Sequence, residues 1–362
     1  MPDPINLSHC LPPVALGAEC NIAVLDPRLE TMVHGYDIAP SAQPPRRAPQ
    51  IAYRHGVDAA GVLAEPGTLA LFGFGAGAMS HADPRWLNIP LEPFDAPAPL
   101  EIWQVDAMVE HGREDELRWA AGGGWLYASI ELEESAHGGA EATAMLAYAT
   151  LRRFVATRRE NHVLRLWNYL GAINQGAGDD ERYRQFCNGR ARGMSDIFAK
   201  GYPAATAIGH LHANHVLQVY LLACEQPGFA VENPRQVSAW RYPRQYGPTP
   251  PSFARAMVLP GQDALAISGT AAVVGHASAH ADDLDAQLEE LRINLEVLLS
   301  SAGMPSGFDT HSPLKAYVRH PADAPRVRDF LQRRLPGVPV LLLHGDICRS
   351  ELLVEIDGWR YA

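Results

Sequence analysis

The order of apolar segments in the second half of the chain repeats the order in the first, and this repeat restricts the architecture more than any single motif. Trp125–Leu132 (WLYASIEL) reads as a strand, Ser135–Arg159 as helix, Val163–Ile173 (with LRLWNYL) as a strand, Glu181–Phe198 as a second helix and Val216–Cys224 as a closing strand. The second half runs the same way: a strand at Ala264–Val274 (ALAISGTA), a helix at Asp282–Ser301, a strand at Leu314–Val318 within LKAYVRH, a helix at Ala324–Leu335, then closing strands. The helix at 282–301 has the clearest period, with Leu284, Leu288, Leu291, Leu295 and Leu298 on one stripe and Asp282 and Asp283 at its positive end. WLYASIEL pairs with ALAISGTA, LRLWNYL with LKAYVRH and QVYLLACE with LLVEIDGW. A duplicated αβ unit follows: an α+β protein with two mixed sheets, each with helices on one side, divided near Glu225–Gln236 where Pro227, Gly228 and Pro234 break the pattern.

A chain of 362 residues with 47% apolar content can bury the core that two such units need. Its formal charge of -11 argues against a general nucleic-acid or membrane-surface binder, yet leaves room for a local cluster of arginines around an anionic small molecule. The cysteines at 10, 20, 187, 224 and 348 are scattered and odd in number, with no CxxC pair, which predicts free thiols in a reducing cytoplasm. The N-terminus lacks a basic segment followed by an apolar one, and no 18-residue apolar run occurs, so neither a signal peptide nor a membrane span is expected. Residues 1–50 are proline-rich and read as an irregular arm, ahead of units at 51–225 and 226–362. Gly61–Ala64, Leu69–Phe74 and Leu100–Val109 read as short strands and Gly122–Gly124 as a turn. FGFGAGAM at 72–79 lacks the GxGxxG spacing of a dinucleotide loop and reads as a turn.

Near the C-terminus, Val340–Leu343 reads as a buried strand, Gly345–Ser350 as a polar connection and Leu352–Ile356 as another strand. The period of two sets Leu352, Val354 and Ile356 on one face and Leu353, Glu355 and Asp357 on the other. Apolar neighbours around Glu355 would desolvate its carboxyl and raise its pKa, which suits a general acid; a glutamate in water on an edge strand has the same pattern. Cys348 beside Arg349 reads either as a thiol of lowered pKa or as a buried structural cysteine.

Arg235–Arg255 sets Arg235, Arg241, Arg244 and Arg255 among Trp240, Tyr242, Tyr246 and Phe253, with several prolines and no helical period. A rigid loop of this kind suits a planar carboxylate, held bidentately by guanidinium and stacked on rings; a solvated linker has the same composition. Ser268, Gly269 and Thr270 would let a ligand approach backbone amides, or mark a bulge. His210, His212 and His215 do not share a strand face and have no adjacent acid, so no metal site is expected.

Four stretches, ERYRQFCNGRARG at 181–193, RYPRQYGPTPPSFARA at 241–256, ISGTAAVVGHAS at 267–278 and GDICRSELLVEIDG at 345–358, together resemble the chorismatases, on the RidA/YjgF-like fold. Within that family the resemblance is to the hydroxybenzoate-forming members, including the type that makes both 3- and 4-hydroxybenzoate. It implies chorismate as substrate, pyruvate as co-product and no cofactor or metal. Glu355 matches the catalytic glutamate that protonates the terminal methylene of the enolpyruvyl ether. Cys348 matches the 3-hydroxybenzoate-forming branch, in which the substrate's own 4-hydroxyl attacks; alanine there goes with hydrolysis to a dihydroxycyclohexadiene acid. For both residues to line one pocket, 348–351 must turn or bulge. Arg244 and Arg255 are the expected carboxylate contacts, with Arg241 and Arg349 in reserve, and Tyr242, Tyr246, Ser268 and Gly269 the expected wall. A RidA-like imine deaminase or a ligand-binding module is the competing class. The fold is compatible with a monomer or a homotrimer.

Overall fold

The computed structural model describes residues 47–78, 80–95, 98–195, 201–211 and 215–362. The proline-rich arm lies, apart from its last few residues, outside the described residues. Four strands, β1 (Gln50–Arg54), β2 (Thr68–Phe74), β3 (Trp86–Ile89) and β4 (Leu100–Gln104), form a first sheet in the order β1-β4-β2-β3. Gly61–Ala64 is not a strand. It falls in and just after a short helix, α1 (Ala59–Leu63), started by Asp58, whose side chain accepts from the amides of Ala60 and Gly61.

The next segment is β5 (Glu110–Glu114), β6 (Leu117–Gly122), β7 (Trp125–Glu133), α2 (Glu134–His137), α3 (Ala140–Ala156), β8 (His162–Gly171), α4 (Arg182–Met194), β9 (Ala204–His210) and β10 (Val216–Cys224). The last segment is β11 (Phe229–Val231), β12 (Ala256–Val258), β13 (Ala264–Thr270), the small hairpin β14 (Val273–Val274) and β15 (Ala277–Ser278), α5 (Leu284–Ser301), β16 (Leu314–Val318), α6 (Ala324–Arg334), β17 (Val340–His344), β18 (Asp346–Ile347) and β19 (Val354–Tyr361). The two large sheets have the same order. One runs β5-β6-β7-β10-β8-β9 and the other β11-β12-β13-β19-β16-β17, with one parallel pair in each, β8 with β9 and β16 with β17. The matched segments of the sequence, β7 with β13, β8 with β16 and β10 with β19, occupy equivalent places. The fold is α+β, with two large mixed sheets each carrying helices on one face, in addition to the four-stranded sheet and the small hairpin.

Alternation along the strands explains the layers. Leu126, Ala128 and Ile130 of β7 and Leu217, Val219 and Leu221 of β10 pack under α3 and α4, while Tyr127, Tyr220 and Leu222 point the other way. In the second large sheet Leu265, Ile267, Val354 and Ile356 pack under α5 and α6, and Ala266, Tyr317 and Trp359 point inward. The inward faces share one aromatic layer in which Trp167 stacks on Tyr220 at 4.8 Å. That layer also holds ion pairs, Arg165 with Asp357 and Lys315 with Glu101, all four side chains at most 1% exposed. The edges are exchanged. β18, from the last segment, pairs with β9, and Phe94 donates its amide to Leu342 of β17 while Glu92 accepts from the amide of His344. Gly345–Ser350 is therefore a connection with a two-residue strand inside it, and β19 starts at Val354, two residues later than expected. No described helix is long and apolar enough to cross a membrane.

Candidate active site

β19 lies between β13 and β16, so Glu355 is on an interior strand and not on an edge in water. Its outward neighbours Val354 and Ile356 enter the helical layer, which sends Glu355 and Asp357 toward the other sheet. Glu355 is 5% exposed. Burial pushes its carboxyl up from 4.5 to about 8, the Asp357 charge adds to the rise, and Arg165, Arg255 and Arg319 offset part of it. Space for the carboxyl comes from Gly269 on β13, where a Cβ would lie 1.9 Å from Glu355 Oε1. Among the described residues none makes a hydrogen bond to this carboxyl, which lines the cavity.

That cavity has a volume of about 410 Å³, in the range that accepts a small molecule. Glu355, Cys348 and Gly269 line it together with Arg255, Arg349, Tyr242 and Tyr246. Arg255 is buried, donating Nη2 to the Tyr242 hydroxyl at 2.6 Å and to the Val237 carbonyl at 2.9 Å. Its Nε has no hydrogen-bond partner among the described residues. The guanidinium of Arg349 lies 4.0 Å from the Tyr246 ring centre and 5.0 Å from that of Tyr242, and its Nη1 donates to the His276 carbonyl. The loop at 235–255, which ends on Arg255, has only two short 3-10 turns, Ala239–Arg241 and Arg244–Tyr246, in keeping with its proline content.

Residues 348–351 do turn, with the Leu352 amide donating to the Arg349 carbonyl, and this brings Cys348 to the same cavity as Glu355. Arg319 braces the turn through the carbonyls of Ile347, Arg349 and Leu352 and through Asp346. The reading of Cys348 as a thiol of lowered pKa is corrected here. Burial, then the charge of Glu355, push it up to about 12, and Arg349 offsets this only in part.

Three of the expected residues are not brought to the cavity. Arg244 is exposed and spends its guanidinium on both oxygens of Asp179, at 3.0 and 2.6 Å. Arg241 is exposed in its 3-10 turn and does not line the cavity. Ser268 is buried behind the wall, donating to the Ala254 carbonyl and accepting from the Ala205 amide. Conversely, Tyr183 and Arg184 from α4, Gln236 and Gln245 line the cavity without having been singled out, and so does Phe253, which was named only as an aromatic of the arginine loop. Their signal in the sequence is the resemblance itself, since Tyr183 and Arg184 lie in the stretch at 181–193 and Gln245 and Phe253 in that at 241–256. Of the histidine cluster, His210 donates to the Val216 carbonyl and His212 lies outside the described residues. No trio of metal-ligating side chains is found among the described residues.

The Glu355 carboxyl, buried and pushed up to about 8, lines one cavity with Arg255 and Arg349, residue types that acid catalysis on an anionic small molecule uses. The profile of the chorismatase FkbO/Hyg5-like N-terminal domain matches residues 101–223. A 3-hydroxybenzoate synthase of Streptomyces hygroscopicus is 36% identical over 285 residues, 74% of this chain and 81% of its own. A chorismatase of the same organism is 37% identical over 279 residues, 73% of this chain and 80% of its own. A crystal structure of a chorismatase matches with a TM-score of 0.78 at 32% identity, over 88% of this chain and 100% of that one. The chain belongs to the chorismatase family.

Proposed function

We propose that the protein cleaves chorismate to 3-hydroxybenzoate and pyruvate, with Glu355 as the acid. Glu355 gives its proton to the terminal methylene carbon of the enolpyruvyl ether, and the resulting oxocarbenium ion turns pyruvate into a leaving group. The 4-hydroxyl oxygen attacks the ring carbon that bears the ether, the carbon–oxygen bond to pyruvate breaks, and the hydroxyl proton returns to the Glu355 carboxylate. The arene oxide so formed opens and aromatises, and no water is consumed. Cys348, thiol-bearing and uncharged, occupies space beside the acid where water would otherwise attack. Arg255 and Arg349 hold the two carboxylates, and Tyr242, Tyr246 and Gly269 shape the wall.

The observation that carries this reading is the buried Glu355 carboxyl, raised to about 8 and facing the cavity. The same reading treats 51–225 and 226–362 as the two units, the second bearing the acid, in a cytoplasmic enzyme. The test is to incubate the purified protein with chorismate, follow pyruvate with lactate dehydrogenase and separate the aromatic products by chromatography. Pyruvate with 3-hydroxybenzoate is expected. Absence of pyruvate overturns the reading, and a dihydroxycyclohexadiene acid as the main product overturns the intramolecular route.

A further inference from the structure

Two residues beyond Glu355, on the same face of β19, the Asp357 side chain is wholly buried. Its Oδ2 accepts from Arg165 Nη2 at 3.1 Å, Trp167 Nε1 at 3.0 Å, Thr206 Oγ1 at 2.7 Å and Tyr317 OH at 3.0 Å. Its Oδ1 lies 4.0 Å from Lys315 Nζ. Lys315 is in turn bonded to Glu101 Oε2 at 3.0 Å, and the other oxygen of Glu101 accepts from Trp103 Nε1. Arg165 and Lys315 thus stand as two cations against the two carboxylates of Asp357 and Glu101, although Asp357 Oδ1 has no hydrogen-bond partner among the described residues.

The groups that face Glu355 from the surrounding elements are accounted for as well. Arg165 on β8 is paired with Asp357, and Arg319 after β16 is paired with Asp346 at 2.8 Å. Arg255 in the arginine loop bonds Tyr242 and has Glu232 beside its backbone. From the turn come Cys348, Arg349 and Glu351, which accepts from Ser278, and from α4 and the residue before it come Tyr183 and the paired Arg184 and Glu181. An ionised Glu355 would therefore be an extra negative charge next to one already paired with Arg165. The backbone wall is tied to the same carboxylate, because Thr206 Oγ1, which donates to Asp357, accepts from the amide of Gly269.

We propose that Asp357, clamped by Arg165, Trp167, Thr206 and Tyr317, is a positioning residue whose fixed negative charge keeps the proton on Glu355 and draws it back after each turnover. The inference rests on Glu355 being the proton donor. Side chains at i and i+2 on one strand face are about 7 Å apart, and at an effective dielectric of about 20 their charges shift proton binding by roughly one to two pH units. Once Glu355 has delivered its proton to the substrate, the same repulsion favours recapture of the 4-hydroxyl proton.

The test is Asp357→Asn, which keeps the shape and an acceptor oxygen and deletes the charge. Activity that depends on a protonated Glu355 falls as pH rises through its titration. The variant should move this alkaline limb of kcat down by roughly one to two pH units and leave the plateau at lower pH within severalfold. The cation of Arg165, left without its partner, pushes in the same direction. A loss of kcat by one factor at every pH, with the limb unmoved, would assign Asp357 a purely structural role and overturn the proposal. A second readout does not need turnover: the infrared difference between wild type and Glu355→Gln isolates the protonated carboxyl band, which should titrate at lower pH in the Asp357→Asn background. If Asp357→Asn does not fold, the wild-type band decides, since a Glu355 already ionised at about pH 7 overturns the proposal. A band that shifts as expected in a protein that releases no pyruvate from chorismate would support the coupling of the carboxyls and sink the functional reading alone.

Discussion

Replacing Glu355 by glutamine should abolish most turnover and stabilise the protein, by an amount that grows with pH. The carboxyl is 5% exposed and is held from an ordinary 4.5 up to about 8. Between those values the folded chain retains a proton that the unfolded chain has released, so this group favours unfolding by about 1.4 kcal/mol for each pH unit gained. Below about pH 4.5 both states are protonated and the group contributes nothing. Near pH 7 the folded state carries a penalty of roughly 3 kcal/mol, approaching about 5 kcal/mol above pH 8, where both states are ionised and the penalty stops growing. Glutamine has the same shape and no charge to desolvate, so Glu355→Gln removes the penalty along with the acid. Loss of a general acid lowers kcat by about 10²- to 10⁴-fold. Urea midpoints for both proteins over a pH series from about 5 to 9, beside pyruvate release at each pH, check the two halves of the prediction. Stability curves that stay parallel across the series would mean that Glu355 ionises like a solvated glutamate, and the case for it as a proton donor would fail.

Cys348→Ala should divert part of the product to the dihydroxycyclohexadiene acid, read by chromatography; an unchanged product mixture would count against the thiol's part in keeping water away. Arg255→Met should raise KM for chorismate by about 10- to 100-fold, the worth of one or two hydrogen bonds to a charged group. Arg244→Ala should leave KM within about twofold, because that guanidinium is exposed and already engaged by Asp179. Steady-state kinetics on the pair decide this, and equal effects would mean that Arg244 reaches the substrate. Gly269→Ala would set a Cβ 1.9 Å from Glu355 Oε1, forcing the carboxyl to move. We expect kcat to fall on the order of 10²-fold without loss of fold, and a wild-type kcat with an unchanged melting temperature would show that the carboxyl is not where β13 places it.

The repeated order was legible because α5 carries a helical period, and because β7, β8 and β10, buried on both faces, read as apolar runs. That Glu355 and Asp357 share a face could be read from alternation alone. What that face meets could not, since it is covered by β8 and β9, about 150 residues or more earlier in the chain. GVLA at 61–64 was misread because a stretch of four apolar residues is too short to separate a strand from one helical turn, and the deciding signal was the Asp58 cap before it. β5, exposed along most of its length, has no alternation to betray it. Arg244 and Arg255 look alike in the sequence. They differ in what the loop lays them against: solvent and Asp179 for one, the Tyr242 hydroxyl at the cavity wall for the other.

The exchanged edges have a consequence for how such a site is built. Because β18 is hydrogen-bonded to β9 immediately before the chain delivers Cys348 and Glu355, the reactive end of the last segment is anchored in the other large sheet. Neither large sheet lines this cavity by itself. β13, the turn and β19 bring Gly269, Cys348 and Glu355 to it, while α4 brings Tyr183 and Arg184 and the strands β8 and β9 set Arg165 and Thr206 behind it. Two sheets of the same strand order thus supply unequal parts of one enclosure.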